Sequence, residues 1–148
     1  MASLNPLSGA LGHRRAAHLL RRASFRYTKE RVDELAALSA EEAVSALLQL
    51  YPLQLEQPVY GPGATTWINP PGGVDPADDD QLLPYVMGSW LNEAVHDPGI
   101  GHKMSFFFHQ YMVVQIGTLR NANYFDYLAL MRWGALGNFK QLATKLVL

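Results

Sequence analysis

Apolar residues return every three or four positions along almost all of this 148-residue chain. That spacing constrains the fold more than any other feature, because a 3.6-residue turn fed in this way buries one stripe against a neighbour. No stretch alternates apolar and polar as a half-buried strand does. The predicted fold class is therefore all-α: an irregular multi-helix domain of about seven helices, interrupted by one long Pro/Gly-rich loop.

The first helix is expected over residues 10–23. Ala16, Leu19, Leu20 and Ala23 share one side of it, while Arg14, Arg15, His18, Arg21 and Arg22 fall within about 120° on the other. Thr28 has the hydroxyl of an N-cap, and Val32, Leu35 and Leu38 follow as the second apolar stripe. Ser39-Ala40-Glu41-Glu42 is a capping box, in which hydroxyl and carboxylate satisfy each other's orphan amides. It predicts a third helix to about residue 51, with Ala43, Val44, Leu47 and Leu48 inward and Pro52 ending it. A fourth carries Leu82, Val86, Trp90 and Ala94 at i, i+4 spacing, beside Leu83, Met87 and Leu91, and Asp97-Pro98-Gly99 breaks it. The fifth, over residues 102–116, is apolar on all sides, which predicts a buried central helix. The sixth spans about 122–135, and Asn138 caps a final helix to residue 148.

Residues 52–78 hold six prolines and four glycines, a composition that argues against regular structure there. The acidic residues Asp75, Asp78, Asp79 and Asp80 lack the alternation, the glycine and the later glutamate of a calcium loop. Asp79 or Asp80 reads better as a cap on the positive end of the fourth helix.

Composition narrows the class. Apolar residues make up 49% and charged residues 17%, and a chain of this size buries roughly 70% of its unfolded surface. Disorder, collagen and a disulfide-stapled mini-fold are excluded. A spanning helix is not expected either, since the longest greasy stretch, residues 104–117, is interrupted by Ser105, His109, Gln110 and Gln115. The absence of cysteine removes thiolate chemistry and sulfur-ligated metals. The amino terminus lacks the pattern of a secretory signal, and neither arginine pair precedes an apolar segment, so the cytoplasm is the default expectation.

The net charge of −1 conceals segregation. Residues 1–31 carry a balance of +6, residues 32–101 one of −11, and residues 102–148 one of +4. Two surfaces meeting within one fold are the preferred explanation, with a basic tail seeking an acidic partner as the alternative. The stripe of Arg14, Arg15, His18, Arg21 and Arg22 has the charge to track phosphates on nucleic acid or lipid. A pI near 6.5 and the lack of an aromatic ladder on the same face weigh against nucleic acid.

Catalytic signatures are sparse. His102 and His109 are seven positions apart, about 10 Å along a helix axis and too far to share one ion. HExxH, a Gly-x-Ser-x-Gly elbow and a phosphate-binding glycine loop are all missing; Gly61-Pro62-Gly63 has no following lysine, and Gly99-Ile100-Gly101 follows a helix. No metal or other cofactor is expected. His109, set among Phe106, Met112 and Val113, reads as a hydrogen-bonded core histidine.

Three stretches carry a resemblance. His18-Leu19-Leu20-Arg21-Arg22-Ala23-Ser24-Phe25, with Thr28 after it, is the first. Lys103-Met104-Ser105-Phe106-Phe107-Phe108-His109-Gln110-Tyr111-Met112-Val113-Val114 is the second. Arg132-Trp133-Gly134-Ala135-Leu136-Gly137-Asn138-Phe139-Lys140-Gln141-Leu142 is the third. In order and spacing they resemble the amino-terminal motifs of the bacterial family called domain of unknown function 1800. The resemblance marks Arg21, Arg22, Phe25, Lys103, His109 and Asn138 as motif residues. The chain departs from the family pattern at Arg26, where glycine is usual, at Phe108, where tryptophan is usual, and at Tyr111, where a second histidine is usual. Family members are several hundred residues long and often exported, so the resemblance implies that residues 1–148, as a single helical domain, are the amino-terminal part of a longer protein. It supplies no reaction to carry onto named residues. The expected function is a non-catalytic helical interaction or assembly module, whose partner is that carboxy-terminal portion or another protein. The alternative is the amino-terminal part of a hydrolase-like enzyme whose site is completed by carboxy-terminal residues.

Overall fold

The computed structural model describes residues 7–49, 55–60, 65–66, 83–114 and 121–147. Seven helices lie among them: α1 (His13–Ala23), α2 (Lys29–Ala37), α3 (Ala40–Leu47), α4 (Leu83–His96), α5 (Gly101–Tyr111), α6 (Asn121–Gly134) and α7 (Phe139–Val147). The fold is all-α, as the periodicity predicts. One departure falls inside the Pro/Gly-rich stretch, where β1 (Val59–Tyr60) pairs antiparallel with β2 (Thr65–Thr66). β-branched and aromatic residues on either side of a Gly-Pro-Gly sequence are hairpin chemistry, and two residues per strand suffice to express it. The expected cap at Asp79 or Asp80, and the reading of Asp75 and Asp78, lie outside the described residues.

The helix starts follow their caps. The Thr28 hydroxyl accepts from the Arg31 amide, Ser39 and Glu42 form the reciprocal box, and Asn138 Oδ1 accepts from the Gln141 amide at 3.2 Å. Two helix ends come earlier than expected. α3 stops at Leu47 rather than near residue 51. Of the four residues expected inward only Ala43 and Leu47 are buried, whereas Val44 and Leu48 are exposed, because so short a helix packs only the Ala43–Leu47 line against the core. α5 stops at Tyr111 rather than 116, because the Met112 carbonyl takes its hydrogen bond from the Tyr127 hydroxyl at 2.9 Å instead of from a further helical turn.

Two hydrophobic clusters organise the packing. In the first, Leu11, Ala16, Leu20, Leu35, Ala43 and Leu47 bring α1, α2 and α3 together. The segment before α1 lies along the α2–α3 link, with the Leu11 amide donating to Leu38 O at 2.7 Å and the Gly12 amide to Ala36 O at 3.0 Å. Gly12 has φ +77°, a backbone that a Cβ disfavours, and it turns this segment into the helix. In the second cluster Val86, Trp90, Tyr124, Leu128, Met131 and Leu142 join α4, α6 and α7. A Cβ on Gly134 would lie 2.7 Å from both Leu142 δ-carbons, so α6 and α7 approach as closely as they do only over a glycine.

The turn between α4 and α5 connects the clusters. The Ile100 side chain packs on the first cluster, and its amide donates to Leu47 O at 2.9 Å. Arg31 Nη2 donates to Pro98 O at 3.3 Å.

The expectation of a central, all-round buried fifth helix is corrected. The buried positions of α5 are Gly101, His102 and Ser105, whereas Tyr111 is 74% exposed and Phe107 46%. The central helix is α6, which buries Ala122, Tyr124, Phe125, Tyr127, Leu128, Met131 and Arg132. Counting apolar residues on α5 misleads because its two histidines find partners on the inner side, His102 at Asp97 and His109 at Tyr127, and these help decide which face turns inward.

Candidate functional site

α4, α5 and α6 enclose a buried ionic cluster. Asp97, at the end of α4, accepts from the Gly99 amide at 2.8 Å through Oδ1. Its Oδ2 accepts from the His102 amide and from His102 Nδ1, both at 2.8 Å. A carboxylate only accepts, so Nδ1 carries a proton. His102 is the second residue of α5, and Asp97 thus supplies the cap that Ile100, at the N-cap position, lacks. Arg132 Nη2 comes from α6 to 3.7 Å from Asp97 Oδ2, and Glu93 Oε2 lies 3.7 Å from His102 Nε2. His102 is fully buried, and Arg132 and Asp97 nearly so.

The electrostatics follow from burial. For Asp97, desolvation alone would raise the carboxyl, but hydrogen bonds from the His102 ring and from the His102 and Gly99 amides outweigh it, with help from Arg132, and hold it below its usual value. Glu93 Oε1 accepts from the Glu56 amide at 3.0 Å, and burial pushes the carboxyl up to about 7. Burial lowers the Arg132 guanidinium while Asp97 and Glu93 oppose that shift. His102, Asp97 and Arg132 are shielded from solvent while Glu93 keeps partial access, and this arrangement suits bracing three helices.

His109 forms a second polar site. Its Nδ1 lies 2.7 Å from the Tyr127 hydroxyl, whose proton goes to Met112 O. Nδ1 is therefore the donor in this chain, and the other ring nitrogen is left with its lone pair. Burial lowers the His109 pKa, and burial raises the Tyr127 phenol to about 12. Of the sequence reading of a hydrogen-bonded core histidine, the hydrogen bond is present, but the ring is half-buried at the edge of the second cluster rather than in the core.

The outer face of α5 is aromatic. Ring centroids run from Tyr111 to Phe107 at 4.7 Å, from Phe107 to Phe108 at 5.8 Å, and from Phe108 to Phe139 of α7 at 5.8 Å. Phe139 is 56% exposed.

The other motif residues are scattered, with one pairing. Lys103 Nζ sits 4.3 Å from the Phe25 ring centroid, and Phe25 meets Phe106 edge-on at 5.7 Å, so the first and second motifs join. Arg21 and Arg22 are exposed on α1, and Asn138 is an exposed cap. Among the described residues no carboxylate lies within ion-pair distance of Arg14, Arg15, Arg21 or Arg22; the ion pairs of this region are His13–Asp33, Lys29–Asp33 and Arg31–Glu34. The acidic block over residues 32–101 that was expected to face the stripe is described in part, and none of its described carboxylates pairs with these arginines; Asp75, Asp78, Asp79 and Asp80 lie outside the described residues. Also among the described residues, no three His, Asp or Glu side chains are grouped to hold a metal ion, and no helix is long and apolar enough to cross a membrane.

Glu93 and Asp97 had no functional place in the sequence reading, and Arg132 stood only as the opening residue of the third motif. One signal was present: Arg132 falls on the same helical stripe as Tyr124, Leu128, Met131 and Ala135, and a lone charge on a buried stripe requires a buried partner. Which partner it meets depends on tertiary packing.

Comparison with known proteins agrees with the motifs. No curated protein and no solved structure is similar to the chain at a significant level. Residues 18–148, which contain the ionic cluster, the His109–Tyr127 pair and the aromatic face, match the family described as protein of unknown function (DUF1800), and the chain belongs to that family.

Proposed function

We propose that this chain is a non-catalytic helical interaction module, and that its aromatic face on α5 and α7 takes an apolar protein surface, supplied in the longer family proteins by their carboxy-terminal portion. The observation that carries this reading is the inverted α5. Its His102 and Ser105 are buried, while Phe107, Tyr111 and, from α7, Phe139 stand in solvent, joined through Phe108 into a run of rings. Exposed aromatic area of this kind marks an interaction surface. The test is sedimentation of the chain over a concentration series with a hydrophobic dye, beside the Phe107→Lys/Tyr111→Lys variant. Dye binding and a concentration-dependent mass are expected for the wild type and reduced in the variant, with helical circular dichroism unchanged. A monodisperse, dye-silent wild type would sink the proposal.

A second reading, the amino-terminal part of a hydrolase-like enzyme, is favoured by one observation. Tyr127 fixes the His109 tautomer and burial keeps the ring neutral, the state a general base requires. His109→Gln in a full-length family protein separates the two readings. Loss of a hydrolytic turnover with retained assembly would favour the enzyme; unchanged turnover would exclude His109 as its base.

A further inference from the structure

On the opposite type of surface, cationic rather than aromatic, an open groove of about 790 Å³ runs between the first half of α1 and the start of α3. Leu11, Leu19, Ala40 and Val44 give it an apolar floor. His13, Arg14, Arg15 and His18 stand along it, and no carboxylate is among its lining residues. His13 is engaged by Asp33 at 3.1 Å, whereas no described carboxylate pairs with Arg14 or Arg15.

We infer that this groove binds a single-chain anionic amphiphile, its tail on the apolar floor and its carboxylate or phosphate head at Arg14 and Arg15. Each half of the groove offers something a simpler occupant would not use. An inorganic anion would leave the apolar floor in water, and a neutral apolar molecule would make no use of the two exposed guanidinium groups at its rim. The volume lies within the roughly 300–1,000 Å³ of small-molecule pockets. Salt-sensitive attraction to the head and area-dependent burial of the tail are separable contributions, and separate variants address them.

Titration calorimetry with decanoate and with decyl phosphate, each below its micelle threshold, tests the assignment. Inorganic phosphate and a neutral decyl glycoside serve as controls. Saturable binding of one molecule per chain by either anionic probe is expected, weakened by added salt. Arg14→Gln/Arg15→Gln should weaken it by about tenfold or more, a loss of about 1.4 kcal/mol per factor of ten. Val44→Asp, at a half-exposed position where a carboxylate does not disturb the core, should weaken the anionic probes further while circular dichroism stays unchanged. A preference between the two anionic probes identifies the head group. No saturable binding, equal binding of the neutral glycoside, or binding of inorganic phosphate as tight as that of decyl phosphate would each overturn the inference.

Discussion

Glu93, in the last turn of α4, and Asp97, just after it, are shifted in opposite directions, because Asp97 is given donors and Glu93 mainly loses water. The Asp97 carboxyl is lowered, so its contribution to stability is present above its unfolded value and lost as pH falls through the folded one. The Glu93 carboxyl is raised from 4.5 to about 7, so its protonated form is favoured by the fold. Its contribution is fully present below about 4.5 and lost as pH rises through about 7. Denaturant midpoints at about pH 5 and about pH 8 should fall for the wild type by roughly 1–3 kcal/mol in stability. Glu93→Gln should flatten that decline. An equally steep decline in the variant would show that another group carries it. The Tyr127 hydroxyl illustrates a different economy at this scale, since one phenol both orients His109 and closes the end of α5.

At the scale of the element, what was legible in the sequence was local. Thr28, Ser39 with Glu42, and Asn138 cap the helices they were expected to cap, since a cap needs only three or four consecutive residues. Val86, Trp90 and Ala94 face inward as their i, i+4 spacing indicates. The inward face of α5 was not legible. It is set by Asp97, Tyr127 and Arg132, which belong to other parts of the fold, and hydropathy along a single helix does not contain them. The same limit hid the ionic cluster and the Lys103–Phe25 pairing. The approach of α6 to α7 offers a sharp test at this scale. Gly134→Ala places a Cβ where the Leu142 δ-carbons lie, and overpacking of this kind costs about 1–3 kcal/mol. Leu142→Ala alone leaves a cavity and costs about 2–5 kcal/mol. The double variant should lose less than the sum of the two, because each change relieves the other, as a double-mutant cycle by urea denaturation would read. Additive losses would mean that the helices separate instead.

Across the whole molecule, the two hydrophobic clusters depend on one turn. A Cβ on Gly99 would lie 2.7 Å from Gln49 O and 3.0 Å from Leu47 O, and both atoms are backbone, which cannot swing aside as a side chain does. Gly99→Ala should therefore lift the α4–α5 turn away from α3, at a cost of about 2–4 kcal/mol. The Ile100 amide, which donates to Leu47 O, should exchange with deuterium faster than in the wild type. Unchanged protection of that amide would show that the joint accommodates the methyl group elsewhere.

The position of Arg132 also sets an order of events during synthesis. A chain made from its amino terminus presents α1, α2 and α3 first, and the apolar residues that join them, from Leu11 to Leu47, are near one another in sequence. Glu93, Asp97 and His102 emerge later, and their only buried cation among the described residues, Arg132, comes 35 positions after Asp97. Until α6 has left the ribosome, Asp97 is without Arg132 and His109 without Tyr127, so the packing of α5 is expected to be completed only then. In that interval, before α6 covers its side of the helix, Phe106, Phe107 and Phe108 are expected to be exposed together to chaperones and to other nascent chains.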